Sequence, residues 1–243
     1  MIDVRRGGDR YAGGEPEAGV DTRHAFSFSG FYDPDNIRFG LLVACNEERL
    51  APGAGFGEHT HRDTEIVTWV TEGELEHRDT GGRVARLRAG DAQWLSAGSG
   101  VRHVEHNVGE GPLTFLQMWL HPDAFGAGPQ YAAVTGPVPA GPGLTLLASG
   151  APDATPPLRL RQRAAALWVG RPLVPDQVAL PPAEFGYLHV LRGTVRLARE
   201  TLDPGDAARI TGEPALTALA SGGAEYVFWS MHAEPPPASP PRS

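Results

Sequence analysis

The sequence predicts an all-β protein made of two barrel-like halves, and three observations lead there. Glycine (31) and proline (23) are scattered along all 243 residues, which breaks up long helices and suits short strands joined by turns. Apolar runs of strand length recur between turn-forming residues. The second half also echoes the layout of the first, as two copies of one unit would.

In chain order, the opening stretch MIDVRRGGDRYAGGEPEAG lacks the apolar core of a secretory leader. No run approaches the ~18 apolar residues of a membrane span, so no membrane role is expected. A single cysteine, Cys45, leaves no internal disulfide to form and fits a reducing compartment, the cytoplasm. Strand-length runs then follow: FGLLVA (39–44), EIVTWV (65–70), AQWLSA (92–97) and LTFLQMWL (113–120). Turn signals such as DTGG (79–82) and GEGP (109–112) stand between them. No stretch sustains a capped 3.6-residue period; ALWV near 165–169 is too short.

These features divide the chain into a first domain (1–135), a Pro/Gly-rich connection (136–157), a second domain (158–233) and a tail (234–243). The echo between the halves is specific. FGYLHVLRGTVRL (185–197) with LDPGDAARI (202–210) repeats the order of EIVTWVTEGELEH (65–77) with LRAGDAQWL (87–95). Each has an apolar strand, a turn glycine (Gly73, Gly193), a return strand and a Gly-Asp turn (Gly90-Asp91, Gly205-Asp206). The tail, EPPPASPPRS, cannot bury a core and is expected to be disordered or polyproline-like.

Charge narrows the function classes. All 21 basic residues are arginine, so a Schiff-base lysine is not available. Residues 1–135 hold 20 acidic residues against 12 arginines, and the remainder holds 9 of each. An acidic first half disfavours direct binding to nucleic acid, which takes a basic face. A protein partner stays open.

The chemistry-bearing residues fall in two pairs. His59 and His61 stand two apart in GEHTHRDTE, and His103 and Glu105 stand two apart after a glycine-rich turn (Gly98, Gly100). On a strand, that spacing points both side chains of a pair to one face. Two such strands side by side supply three imidazoles and a carboxylate to one ion. Imidazole suits iron, zinc, copper or nickel, and the carboxylate adds a hard ligand favouring iron or manganese. A closed structural zinc site would take cysteines, and the chain has only one. Other residues read as structural: His77 as a strand-end histidine beside an acid, His106 as outward-facing by parity, Trp94 and Trp119 as core aromatics with one at a pocket mouth, and Cys45 as buried. The second half has only His189 and His232, not in pair spacing, so no metal is expected there.

The spacing of Gly53, His59, His61, Glu65 and Gly73 resembles the first cupin motif. The run from Gly90 through Ser96 and Gly98 to His103 and Asn107 resembles the second, with two extra residues before the histidine. More closely, HAFSFSGFYDPDN (24–36), APGAGFGEHTHRDTEIVTWVTEGELEHRDTGG (51–82) and GDAQWLSAGSGVRHVEHN (90–107) resemble the pirin family. The likeness covers most of residues 20–122; the second half resembles the family only in its barrel pattern.

The resemblance implies a bicupin of two jelly-roll-type barrels, with one divalent transition metal ion in the first. Its ligands fall on His59, His61, His103 and Glu105. Iron is the foremost candidate, with manganese, nickel, cobalt, copper or zinc open. Ordinary cupins would use Glu65 as the carboxylate; here Glu105 is taken as the ligand and Glu65 as an acceptor orienting an imidazole, with the exchange of the two left open. The resemblance also implies quercetin 2,3-dioxygenase activity, in which dioxygen cleaves a flavonol with loss of carbon monoxide. Glu105 is then the catalytic base that accepts the flavonol hydroxyl proton. The alternative is a non-enzymatic, metal-dependent co-regulator that binds a protein partner.

Overall fold

Period-two patterning runs through the chain, and the computed structural model, which describes residues 1–213 and 215–236, is built of strands. Among the described residues there are twenty-two strands, three single-turn 3-10 segments and no α-helix. The first strands are β1 (Ile2–Arg5), β2 (Tyr11–Glu15), β3 (Val20–His24), β4 (Leu42–Leu50), β5 (Gly55–His61) and β6 (Glu65–Glu72). Next come β7 (Glu74–Asp79), β8 (Val84–Arg88), β9 (Ala92–Ser96), β10 (Val101–Asn107), β11 (Leu113–Leu120) and β12 (Gln130–Val134). The second half holds β13 (Gly141–Ser149), β14 (Leu158–Arg159), β15 (Ala165–Arg171), β16 (Asp176–Ala179) and β17 (Phe185–Arg192). It ends with β18 (Val195–Leu197), β19 (Glu200–Leu202), β20 (Ala207–Thr211), β21 (Thr217–Ala220) and β22 (Glu225–Met231). Among the described residues, no helix is long and apolar enough to cross a membrane.

Each half is a seven-stranded sheet over a four-stranded one. In the first half the orders are β12-β9-β6-β11-β4-β3-β2 and β5-β10-β7-β8; in the second, β1-β20-β17-β22-β15-β13-β14 and β16-β21-β18-β19. The repeated turns are real counterparts. Gly73 and Gly193 reverse the chain at φ 78° and 66°, and Gly90 and Gly205 do so at 90° and 89°. At Gly73 a Cβ would stand 2.5 Å from the Pro112 carbonyl oxygen, so both conformation and space demand glycine.

The two large sheets pack face to face and share one core. Val67, Trp69, Leu116 and Met118 of the first half meet Leu167, Tyr187, Val227 and Trp229 of the second. Polar groups in this seam are matched across it: Trp69 Nε1 donates to Glu225 Oε1 (2.6 Å), and Arg192 Nη2 donates to the Thr71 carbonyl (2.6 Å). Fully burying a side chain such as Leu or Phe is worth ~1.5–3 kcal/mol, so this shared layer contributes heavily to both halves.

The barrel interiors differ. Leu188, Val190, Leu197, Ala208, Tyr226 and Phe228 fill the second with apolar groups. The first is apolar at one place (Leu50, Val70, Leu75, Leu87, Leu113, Phe115) and polar elsewhere.

Two segments depart from the sequence reading. Within 136–157, expected to connect the halves, Gly141–Ser149 forms β13, paired with β15. Register shifts at Gly141/Leu144 and Leu146/Ala148 interrupt its alternation, which hides the strand from a period-two reading. At the other extreme, β1 crosses to the second half and pairs with β20. Residues 234–236 have no regular structure, and the rest of the Pro-rich tail lies outside the described residues.

Candidate metal centre

Alternation places the histidine pairs. In β10, Val101, His103, Glu105 and Asn107 are buried while Arg102 and His106 are exposed. In β5, Glu58 and Thr60 face out and His59 and His61 face in. The strands run antiparallel, with His103 opposite His59 and Val101 opposite His61. A bulge between His103 and Glu105 then shifts the register, so Glu105 lies opposite Phe56.

This brings three imidazoles together. Ring centroids are 4.7 Å apart for His59 and His61, 4.4 Å for His59 and His103, and 4.8 Å for His61 and His103. One ring nitrogen from each lies within 4.8 Å of the others. His59 Nδ1 is 2.8 Å from the Gly57 carbonyl, which can only accept, so the proton sits on Nδ1 and Nε2 is free. The Nε2 atoms of His61 and His103 are buried with no hydrogen-bond partner. Leaving a buried polar atom unpaired costs ~1–3 kcal/mol; a bound metal ion would give all three lone pairs a partner. Burial, and then the neighbouring imidazoles, pull His61 and His103 down to about 3. Both are therefore neutral at pH 7, the form that ligates. The donor set and its orphaned nitrogens fit a transition metal ion.

Glu105 lies beside them, 1% exposed. Gln93 Nε2 donates to its Oε1 (2.8 Å) and Gln117 Nε2 to its Oε2 (2.9 Å), which fixes the carboxylate plane. Its oxygens group within 4.8 Å with His103 and His77 rather than with His59 and His61. Glu65, read as an acceptor for an imidazole, does something else. It is buried where the halves meet and accepts from Trp94 Nε1 (2.9 Å) and the Arg161 backbone N–H (3.1 Å). Its carboxylate thus bonds to β9 and to the second half, partners that parity alone could not reveal.

A cavity of about 460 Å³ opens over the cluster, lined by His59, His61, Glu105, Gln117 and Glu48 with Phe28, Phe56 and Trp119. The Trp119 ring stands edge-on to His61 at 4.7 Å. A second cavity of about 360 Å³ shares Phe28, Phe56, Glu48 and His59 and extends to Thr22 and His24. Together they offer the mostly apolar, few-polar-group lining typical of small-molecule sites.

Sequence reasoning missed several of these residues. Asn46 and Glu48 sit on β4 at the parity of the apolar Leu42, Ala44 and Leu50, which is the signal that could have found them. Burial, aided by the Glu105 charge, pushes the Glu48 carboxyl up to about 8, although Thr22 Oγ1 donates to it. His77 shares the parity of buried Leu75 and is itself fully buried, against its reading as a strand-end residue. His106 is exposed and Cys45 buried, as expected; burial pushes the Cys45 thiol up to about 12, leaving it unreactive.

Comparison with known proteins adds to this geometry. Residues 8–120 match the family model described as Pirin, and residues 147–230 the one described as the quercetinase C-terminal cupin domain. A Mycobacterium tuberculosis (strain H37Rv) protein named "Putative quercetin 2,3-dioxygenase" is 38% identical over 237 residues, 96% of each chain. An Escherichia coli K12 protein named quercetin 2,3-dioxygenase is 39% identical over 132 residues, 54% of this chain and 56% of its own. The crystal structure of the bacterial pirin YhhW of E. coli in complex with nickel(II) aligns with a TM-score of 0.87 at 30% identity, covering 96% of this chain and 100% of that one.

Proposed function

The chain belongs to the pirin family, and from that premise we propose that it cleaves flavonols with dioxygen at one metal ion held by His59, His61, His103 and Glu105. The observation that carries this reading is the meeting of three imidazoles at an aromatic-lined cavity, two of them buried and neutral with orphaned Nε2 atoms. The relatives named quercetin 2,3-dioxygenases and the nickel-bound relative point the same way. Iron is our first choice of ion, given three nitrogen ligands and one carboxylate.

When bound, the ion supplies Lewis acidity that lowers the pKa of a coordinated hydroxyl. The residues of the chain do the rest. Phe28, Phe56 and Trp119 give flat apolar walls suited to a planar aromatic ring system. Glu105 faces the same cavity and accepts the flavonol hydroxyl proton. Gln93 and Gln117 hold its two oxygens in place, so no reorganisation is needed at that moment.

The test is metal analysis of untagged protein followed by an aerobic quercetin assay. We expect about one transition metal ion per chain and dioxygen-dependent loss of quercetin. No such loss with iron, manganese, nickel, cobalt or copper would overturn the enzymatic reading.

A further inference from the structure

His77 and Asp79 lie behind the cluster on β7, the other neighbour of β10. In register, His77 stands opposite Glu105 and Asp79 opposite His103. His77 Nδ1 is 3.2 Å from His103 Nδ1, both rings fully or almost fully buried. Two neutral imidazole nitrogens at that distance share a single proton, so one ring donates and the other accepts. The choice has consequences. If His103 donates, its Nε2 lone pair is left for a metal. If His77 donates, the His103 proton must sit on Nε2, and His103 cannot ligate.

The far side of His77 decides between these states. Its Nε2 has no hydrogen-bond partner and faces Asp79 Oδ2 at 3.7 Å. That is beyond a hydrogen bond, but a carboxylate so near in a dry site favours an N–H there over a lone pair. Asp79 keeps its charge: although burial opposes ionisation, the Arg83 backbone N–H and guanidinium, each 3.2 Å away, hold it below its ordinary value. A proton on His77 Nε2 leaves Nδ1 as the acceptor, and His103 donates. Tyr131 stacks on the His77 ring at 4.6 Å, which fixes its plane. The Tyr131 hydroxyl donates to Gln93 Oε1 (2.9 Å), the amide that holds Glu105.

We propose that Asp79 and His77 form a positioning pair that sets the tautomer of His103 and so presents its Nε2 as a metal ligand. The proposal rests on reading the histidine cluster as a metal centre, and its test separates the two. The first arm needs no metal: ¹⁵N-histidine NMR of the metal-free protein reads the tautomer of each ring. His103 is expected as the Nδ1-protonated form and His77 as the Nε2-protonated form, with Asp79→Asn shifting both toward the opposite tautomers. His103 protonated on Nε2 in the parent overturns the proposal.

The second arm is titration with nickel(II) alone. His77→Leu and Asp79→Asn should weaken binding ~10–100-fold, the usual effect of losing a group that orients a ligand. His77→Gln, whose amide oxygen can still accept from His103 Nδ1, should recover most of the loss. Melting temperatures identify any variant that fails by unfolding. Unchanged nickel affinity in folded His77→Leu overturns the proposal. So does full loss in both His77→Leu and His77→Gln with retention in His59→Ala, which would make His77 a ligand itself. A parent that binds no nickel contradicts the metal reading, while the NMR arm still decides the tautomer.

Discussion

At the scale of single residues, the first barrel holds ionisable groups that burial keeps neutral. His59→Ala and His103→Ala each remove one of three nitrogens that meet within 4.8 Å; each should strip the metal, as read by elemental analysis. Retention of full metal by both would remove the proposed centre. Glu105→Gln keeps the size of the side chain and loses its basicity. General-base contributions are typically ~10²–10⁴ in rate, so turnover should fall by that much at equal metal occupancy. Parent-like turnover of quercetin by this variant would exclude Glu105 as the base. Glu48 gives a pH test. Burial holds its folded pKa at about 8, above the 4.5 of an exposed glutamate. Between the two, the folded protein keeps a proton that the unfolded chain has released, so stability falls as pH rises through that window and is fully present below it. Glu48→Gln should flatten the decline in Tm of the metal-free protein from about pH 5 to about pH 8. The same slope in both proteins would show that Glu48 ionises freely.

At the scale of elements, the loop from β9 to β10 sets where the second ligand pair begins. Gly98 has φ 47°, and a Cβ on it would stand 1.9 Å from the Ala127 carbonyl oxygen. Gly98→Ala should therefore destabilise by more than ~1 kcal/mol. Gly111→Ala, where a Cβ meets nothing within 4 Å, serves as the control in the same chemical denaturation series. Equal midpoints would show that the loop yields at no cost. The period-two spacing of His59 and His61, and of His103 and Glu105, was legible because parity on a strand is a local property. The roles of Glu65, Gln93 and Gln117 were not, because each depends on which strand lies alongside. β13 escaped notice for a different reason, since register shifts between Gly141 and Leu144 and between Leu146 and Ala148 break the alternation that marks a strand.

At the scale of the whole molecule, two halves with weak internal likeness behave as one unit. Trp69, Met118 and Trp229 belong to a single apolar layer drawn from both large sheets, and Trp229 Nε1 lies 3.1 Å from Met118 Sδ. Residues 1–140 expressed alone would expose that layer and leave β1 without its partner. The fragment should be insoluble or melt without a sharp transition in calorimetry. A soluble fragment with a cooperative melt and intact nickel binding would show the first barrel to be self-sufficient. The repeat of strand and Gly-Asp turn announced two barrels in the sequence. The extent of their shared face did not show, because burial against a distant sheet leaves no period of its own.

The pairing of β1 with β20 ties folding to synthesis. Ile2 meets Ile210 and Arg5 meets Ala207, so β1 waits for a strand made about 200 residues later. At roughly 5–20 residues per second on a ribosome, that wait is ~10–40 s. Until β20 is made, Ile2–Arg5 has no native strand neighbour, whereas β4, β6 and β11 find all of theirs within residues 20–120. The edge of the second barrel's large sheet is thereby closed by a segment synthesised about 200 residues before the strand it pairs with.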